Sequence, residues 1–320
     1  MSKIDLSVVL ITASDYRRLQ KTIRHLNDQE IADRMQLILV CQNASNLEVP
    51  PEDVQGIGEI TIFDAGIFQS TGEPRAQAVA VATGPVTVFA EDHCFPEPGW
   101  AKAIVDAHAG GHGAVGPSMR NANPETPLSW ADLSLNFGPN VDRKVSEDSS
   151  LLCWHNTSYP TQLLREQEDL ETLLEAEGVF FRRLENKGLN LYRTTDARVV
   201  HINISSFRGF LLGQFWGTRL FWSTLSTVEN WSWAQRIFFA AASPALTVRR
   251  FFRSWVDLRR IAPDKSLSAL PFLMIGSIFL TAGAVAGLLR GTGNAMKYRL
   301  SLEFEREKYL AQGEEQILFV

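Results

Sequence analysis

The chain has 320 residues, enough for one large or two modest domains, and its 45% apolar and 21% charged content is ordinary for a folded globular protein. A formal net charge of −5 speaks against a general nucleic-acid binder, so no nucleic-acid partner is expected. The three cysteines, Cys41, Cys94 and Cys153, show no C-x-x-C spacing, which yields neither a disulfide framework nor a zinc knuckle and fits reduced thiols in the cytosol.

The opening "MSKIDLSVVLIT" is too short and too interrupted by polar residues for a secretory signal. Leu6 to Thr12 reads as a buried strand, followed by a helix that Ser14 or Asp15 would cap, with Leu19, Ile23 and Leu26 at helical spacing. "MQLILVCQNAS" and "GEITIFDAG" read as a second and a third strand. Residues 73–83 suit a helix of small residues that Gly84 ends, and Val86 to Ala90 is a further strand. Alternating β and α units of this length predict an α/β fold with a mostly parallel sheet flanked by helices, which binds ligands at the carboxyl ends of its strands.

Residues 116–150, with several Asn, Pro and Ser, read as a long loop or lid. "QLLREQEDLETLLEAEGVFFRRLENKG" is strongly helical, with a break near Glu177 and Gly178 and a stop at Gly188, and a last strand is expected over Ala197 to Ile204. The character then changes: 206–300 is a region of Phe, Trp and Leu interleaved with Arg, and 301–320 is a charged tail, leaving 1–205 as the α/β domain. From Ser266 to Leu289 there is no charge. About 22 helical residues rise roughly 33 Å, close to the hydrocarbon thickness of a bilayer. Basic residues flank both ends (Arg259, Arg260 and Lys265, then Arg290, Lys297 and Arg299), so charge bias gives a single span no orientation. A crossing, a shallow membrane-associated hairpin and a buried hairpin of a soluble domain all remain open.

"VTVFAEDHCFPEPGW" delivers Glu91, Asp92 and His93 to one strand end. Adjacent like charges repel, and a buried carboxylate needs a partner, which a cation would supply. With "SVVLIT", "VCQNAS", "PRAQAVAVATGPVTVFAEDHCFPEPGW" and "RLENKGLNLYRTTDARVVHIN" in this order, residues 6–205 resemble the family 2 glycosyltransferases of the GT-A fold. That resemblance implies an inverting transfer of a sugar from a nucleotide-sugar donor to a lipid-linked or polysaccharide acceptor. It also implies Mn²⁺ or Mg²⁺ neutralising the diphosphate leaving group. With the aromatic region binding membrane lipid, the reaction would take place at the cytoplasmic face of the cell membrane, in the making of a cell-envelope polysaccharide.

The resemblance also proposes roles. Thr12, Gln42, Asn43, Arg75, Glu91 and Asp92 fall at donor-binding positions, Gln42 standing where the family has an Asp that accepts the uracil N–H. In the family's D-x-D the outer two positions of an alternating strand end face the metal and ribose. Here these are Glu91 and His93 with Asp92 between them, or Asp92 takes over at a twisted strand end, and His201 matches a histidine near the metal or diphosphate. The departure from D-x-D to Glu91-Asp92-His93 suits Mn²⁺ better than Mg²⁺. Glu177 falls at the position of the general base, where Ala176 replaces an acidic neighbour and Glu175 is the fallback. Trp154, His155 and Asn156 match the sugar and acceptor pocket, and Trp130 lines the lid or packs a core.

A second reading keeps the fold without catalysis: a nucleotide-sugar or glycan-binding relative, motivated by the substitutions at Gln42, His93 and Ala176. An NAD-type oxidoreductase or a methyltransferase lacks its glycine-rich turn, since "LITASDYRR" has none.

Overall fold

The computed structural model describes residues 3–13, 15–154 and 156–319. The chain forms two compact units: Met1–Arg120 with Asp142–Ile202 and Gln316–Val320, and Asn121–Val141 with Asn203–Glu315.

The first unit is built on one sheet. Strands β1 (Leu6–Thr12), β2 (Met35–Cys41), β3 (Glu59–Asp64) and β4 (Val86–Phe89) run parallel in the order β3-β2-β1-β4. β1, β2 and β4 are buried along their whole length, so their unbroken apolar runs mark strands covered on both faces. β3 alternates half-buried and exposed residues, as an edge strand does. The other half of the sheet is antiparallel and uses β5 (Cys94–Pro96), β6 (Ala114–Asn121), β7 (Glu147–Asp148), β8 (Ser158–Pro160) and β9 (Leu191–His201). From β4 the order continues β8-β6-β9-β5, with β7 also on β9.

Seven helices precede β9 among the described residues: α1 (Tyr16–Asn27), α2 (Gly72–Val81), α3 (Trp100–His108), α4 (Pro127–Phe137), α5 (Thr161–Arg165), α6 (Leu170–Glu175) and α7 (Glu177–Asn186). Asp15 caps α1, accepting from Arg17 N at 3.0 Å, while Ser14 lies outside the described residues. The small residues 73–83 do form a helix, but it stops at Val81. Gly84 serves close packing instead. A Cβ there would come 2.8 Å from Ser7 N, so the chain entering β4 passes against β1.

Three expectations change. Residues 116–150 are not a loop: β6 runs to Asn121, and α4 follows, capped by Thr126 with Pro127 in its first turn. The stretch 161–188 is three helices: the backbone of Ala176 (φ −136°, ψ 64°) makes the break expected near Glu177, and a further break, not expected from the sequence, falls between Arg165 and Leu170. The last strand begins six residues earlier than expected, at Leu191, because its polar start pairs with β7, Arg193 facing Glu147.

His108 closes α3, and its Nε2 lies 2.9 Å from Ser158 Oγ, which itself donates to Val115 O at 3.1 Å. That network assigns the imidazole proton to Nε2. Nδ1 is buried with no hydrogen-bond partner, so protonating it would orphan an N–H. Burial, helped by His112, brings the pKa down to about 4. Unfolded, the ring takes its proton near the ordinary 6.5, so this residue's contribution to folding stability rises between pH 4 and 6.5 and is constant above. Thermal melts of His108→Gln should lose that slope relative to the parent chain.

The second unit packs α4 with α8 (Phe207–Val228), α9 (Trp233–Ile261), α10 (Pro263–Arg290) and α11 (Ala295–Phe304). Its core gathers Leu128, Ala131 and Leu135 of α4 with Phe210, Leu258, Leu273 and Leu280. The division therefore differs from a cut at 205: 121–141 joins the helical unit because the apolar face of α4, spaced i, i+3, i+7, is buried there. The tail from residue 301 ends in short 3₁₀ turns, Arg306–Tyr309 and Glu315–Leu318.

Candidate active site

The chain leaves β4 at Phe89 but stays tied to the sheet, Ala90 N donating to Val9 O and Asn156 N to Phe89 O. The turn that follows carries Glu91, Asp92 and His93 back into β5, whose Cys94 pairs with His201 at the end of β9. Ile202 N donates to His93 O at 3.0 Å, fixing the two histidine-bearing segments to each other.

Glu91, His93 and His201 are all buried, and each presents a ligand-type atom within 4.8 Å of the others. Glu91 Oε1 lies 3.8 Å from His93 Nε2 and Oε2 lies 3.7 Å from His201 Nε2. The two rings meet edge to face, with centroids 5.2 Å apart. The structure thus brings together the three residues that the sequence offers as metal ligands. One carboxylate and two imidazoles form a donor set for a divalent transition ion such as Mn²⁺, so the residues present fit the expected cation.

Asp92 faces elsewhere. Its Oδ2 accepts from Arg18 Nε at 2.9 Å, and its Oδ1 lies 2.8 Å from His93 Nδ1. An acceptor at Nδ1 leaves the lone pair on His93 Nε2, the nitrogen beside Glu91, so Asp92 sets the tautomer from behind the ring. Sequence reading placed Asp92 among donor ligands and did not single out Arg18. The signal was present: Arg18 shares the buried face of α1 with Leu19, Thr22 and Ile23, and a buried arginine on an apolar face needs a carboxylate.

Asn156, buried and left-handed at φ 53°, donates from Nδ2 to Glu91 Oε2 at 3.1 Å, while its Oδ1 is buried with no hydrogen-bond partner. Trp154 is half-buried nearby in sequence, and His155 lies outside the described residues. Burial first, then the charges of Glu177 and Glu91, pushes the Cys153 thiol up to about 12. The thiol therefore stays protonated at neutral pH.

Glu177 is buried at the first position of α7, where the helix N-terminus favours a carboxylate. Burial, reinforced by the charge of Glu177 and opposed by Arg75, raises the Tyr159 phenol well above its ordinary 10. Arg75, inside α2, is buried, 1% exposed. Glu175 plays a structural part. Its Oε2 accepts from Thr71 N (2.8 Å), Thr71 Oγ1 (3.0 Å) and Gly72 N (2.7 Å), capping α2.

At the end of β1, the buried Thr12 shares hydrogen bonds with the backbone of Asp15. After β2, Gln42 is half-buried, and Asn43 caps a short turn by accepting from Ser45 N at 3.0 Å. Asp64, which sequence reading passed over, holds the same turn by accepting from Ala44 N and Gly66 N, and these bonds lower its pKa. Trp130 belongs to the helical unit, packed against its core with Nε1 donating to Pro124 O at 2.9 Å.

No family model and no curated protein matches this sequence. Among solved structures, the mannosyltransferase PcManGT of Pyrobaculum calidifontis, in complex with GDP-Man and Mn²⁺, matches with a TM-score of 0.56 at 13% identity. That match covers 90% of this chain and 88% of the other. The chain has the GT-A fold. Two weaker likenesses exist: TarS 1-349 of S. aureus in complex with UDP (TM-score 0.46, 14% identity, 95% and 92% coverage), and GalNAc-T7 with UDP, GalNAc and Mn²⁺ (0.48, 13%, 62% of this chain). This chain spans 43% of the GalNAc-T7 length. At such identities the likeness is one of fold, and the chemistry has to come from the residues themselves.

Proposed function

We propose that this protein is an inverting glycosyltransferase of the hexosyltransferase type. It moves a sugar from a nucleotide-sugar donor to a lipid-linked or polysaccharide acceptor at the cytoplasmic face of the cell membrane. The observation that carries the reading is the convergence of Glu91, His93 and His201 at strand ends of a GT-A fold. A neighbour of this fold is a mannosyltransferase in complex with GDP-Man and Mn²⁺.

Bound here, a divalent cation supplies charge neutralisation for a departing nucleoside diphosphate. Glu91, His93 and His201 would hold it, with Asp92 orienting the His93 ring through Nδ1 and Asn156 steadying the carboxylate of Glu91. Glu177 accepts the acceptor hydroxyl's proton as the sugar's anomeric carbon is attacked, with Glu175 occupied as a cap. Gln42, Asn43, Thr12 and Arg75 serve the donor, and Trp154 and His155 the transferred sugar and its acceptor. Trp130, with its N–H already bonded and its ring against the core, is assigned to packing instead.

The experiment is a donor screen across UDP-, GDP- and dTDP-sugars with Mn²⁺ and with Mg²⁺. Glu177→Gln should lower turnover by about 10²–10⁴ with nucleotide and Mn²⁺ binding retained. Unchanged turnover removes Glu177 as base, and nucleotide binding without transfer from any donor makes the protein a binding relative. Asp92→Asn should weaken Mn²⁺ binding about 10- to 100-fold by calorimetry. An unaltered affinity would separate Asp92 from the cation.

A further inference from the structure

The helical unit leaves an apolar face uncovered by its own helices. α10 has one side packed tightly: a Cβ on Gly283 would come 2.2 Å from Phe215 O, one on Gly287 2.4 Å from Arg219 O, and one on Gly276 2.5 Å from the Phe210 ring. Its other side carries Leu267, Met274 and Ile278, each more than half exposed and spaced i, i+7, i+11 along one stripe. α9 adds Ile237, Phe238, Val248, Phe252 and Val256, again each more than half exposed, the last three at i, i+4, i+8. A monomeric soluble surface rarely concentrates so many large apolar side chains.

Charge decides what covers this face. Residues 233–290 hold eight basic side chains against two acidic ones, Asp257 and Asp264, in a chain whose net charge is −5. Asp257 is buried, whereas Arg249, Arg253, Arg259 and Arg260 are exposed among the apolar residues. Exposed aliphatic and aromatic side chains with guanidinium groups between them match a bilayer interface, where apolar groups enter the acyl boundary and arginines reach anionic headgroups.

We infer that the outer face of α9 and α10 lies in the interface of an anionic lipid bilayer and does not cross it. Ala262 alone joins these helices, which pack along their lengths and so run antiparallel. The arginines 249–260 therefore flank the first half of α10, and a crossing by α10 would drag them into hydrocarbon. α10 does not enter without them, because it packs along α9, which carries them, as well as against α8 at Gly283 and Gly287. This deepens the membrane-surface part of the transferase reading, and it is tested without donor, so either can fail alone.

Full-length protein is mixed with phosphatidylcholine vesicles with or without 30% phosphatidylglycerol and floated on a gradient. Binding should be at least tenfold stronger with phosphatidylglycerol and fall in 0.5 M NaCl. Arg249→Gln with Arg253→Gln should remove the anionic preference, and Phe252→Glu with Ile278→Glu should abolish binding. The native cysteines are buried, so Ser268→Cys and Thr292→Cys, near the two ends of α10, take a nitrobenzoxadiazole label selectively. Dithionite added outside the vesicles should reduce both labels. Protection of one label means a crossing, equal binding to both vesicle types means no anionic headgroup is read, and a dimer that ignores vesicles means a second copy covers the face. Each of these results overturns the inference.

Discussion

Glu91→Ala lowers Mn²⁺ affinity by more than about 100-fold, the scale already reached by losing an outer-shell partner alone. Glu91 is the one carboxylate of its group, lying 3.8 Å from His93 Nε2 and 3.7 Å from His201 Nε2. Without it, two neutral imidazoles remain, a set with no charge to offset that of a divalent ion. The variant also strips Asn156 Nδ2 of its acceptor inside a buried site, costing about 1–3 kcal/mol of stability. Glu91→Gln separates the two effects: it keeps an oxygen for Asn156 and the side-chain volume but not the charge. It should lose Mn²⁺ nearly as fully as the alanine variant while melting close to the parent. Calorimetric titration with Mn²⁺, beside circular dichroism of each variant, makes the measurement. Affinities within threefold of the parent in both variants would place the cation elsewhere and take the proposed chemistry with it.

The second large effect concerns the helical unit. Gly283→Ala should destabilise it by about 3 kcal/mol, the upper end of overpacking costs, because the added methyl would sit 2.2 Å from a backbone oxygen of α8. A side chain in that place could rotate away; a helix backbone cannot without moving the helix. Gly287→Ala should behave alike, with its Cβ 2.4 Å from Arg219 O. Gly217→Ala is the control: nothing lies within 4 Å of its Cβ, so α8 should gain up to about 1 kcal/mol from better helix propensity. Urea unfolding followed by tryptophan fluorescence reads all three. Equal stability of Gly283→Ala and Gly217→Ala would show that α8 and α10 do not approach this closely.

How far the sequence reaches can be read from particular elements. β1, β2, β3 and β4 are legible because a strand of a parallel sheet is a short apolar run between polar residues, and that pattern is local. β5, β7 and β8 are not, because two or three residues carry no period and are strands only by virtue of their partners. α4 is hidden by the Asn, Pro and Ser around it. Its apolar stripe gains meaning only against Phe210, Leu273 and Leu280, which come 70 residues and more later.

The site divides along the same line. By itself the sequence determined that Glu91, Asp92 and His93 arrive together just past the carboxyl end of a strand, since the apolar run Val86 to Ala90 that delivers them is a local pattern. Only the tertiary structure decided what stands by each: His201, delivered by β9, beside Glu91, and Arg18, delivered by α1, behind Asp92. It also turned Glu175 into a helix cap while leaving Glu177 at a helix start, two carboxylates that look alike in the sequence. The physical reason is that a carboxylate's role follows from the donors and charges around it, and in this chain those arrive from segments about 70 to 110 residues away.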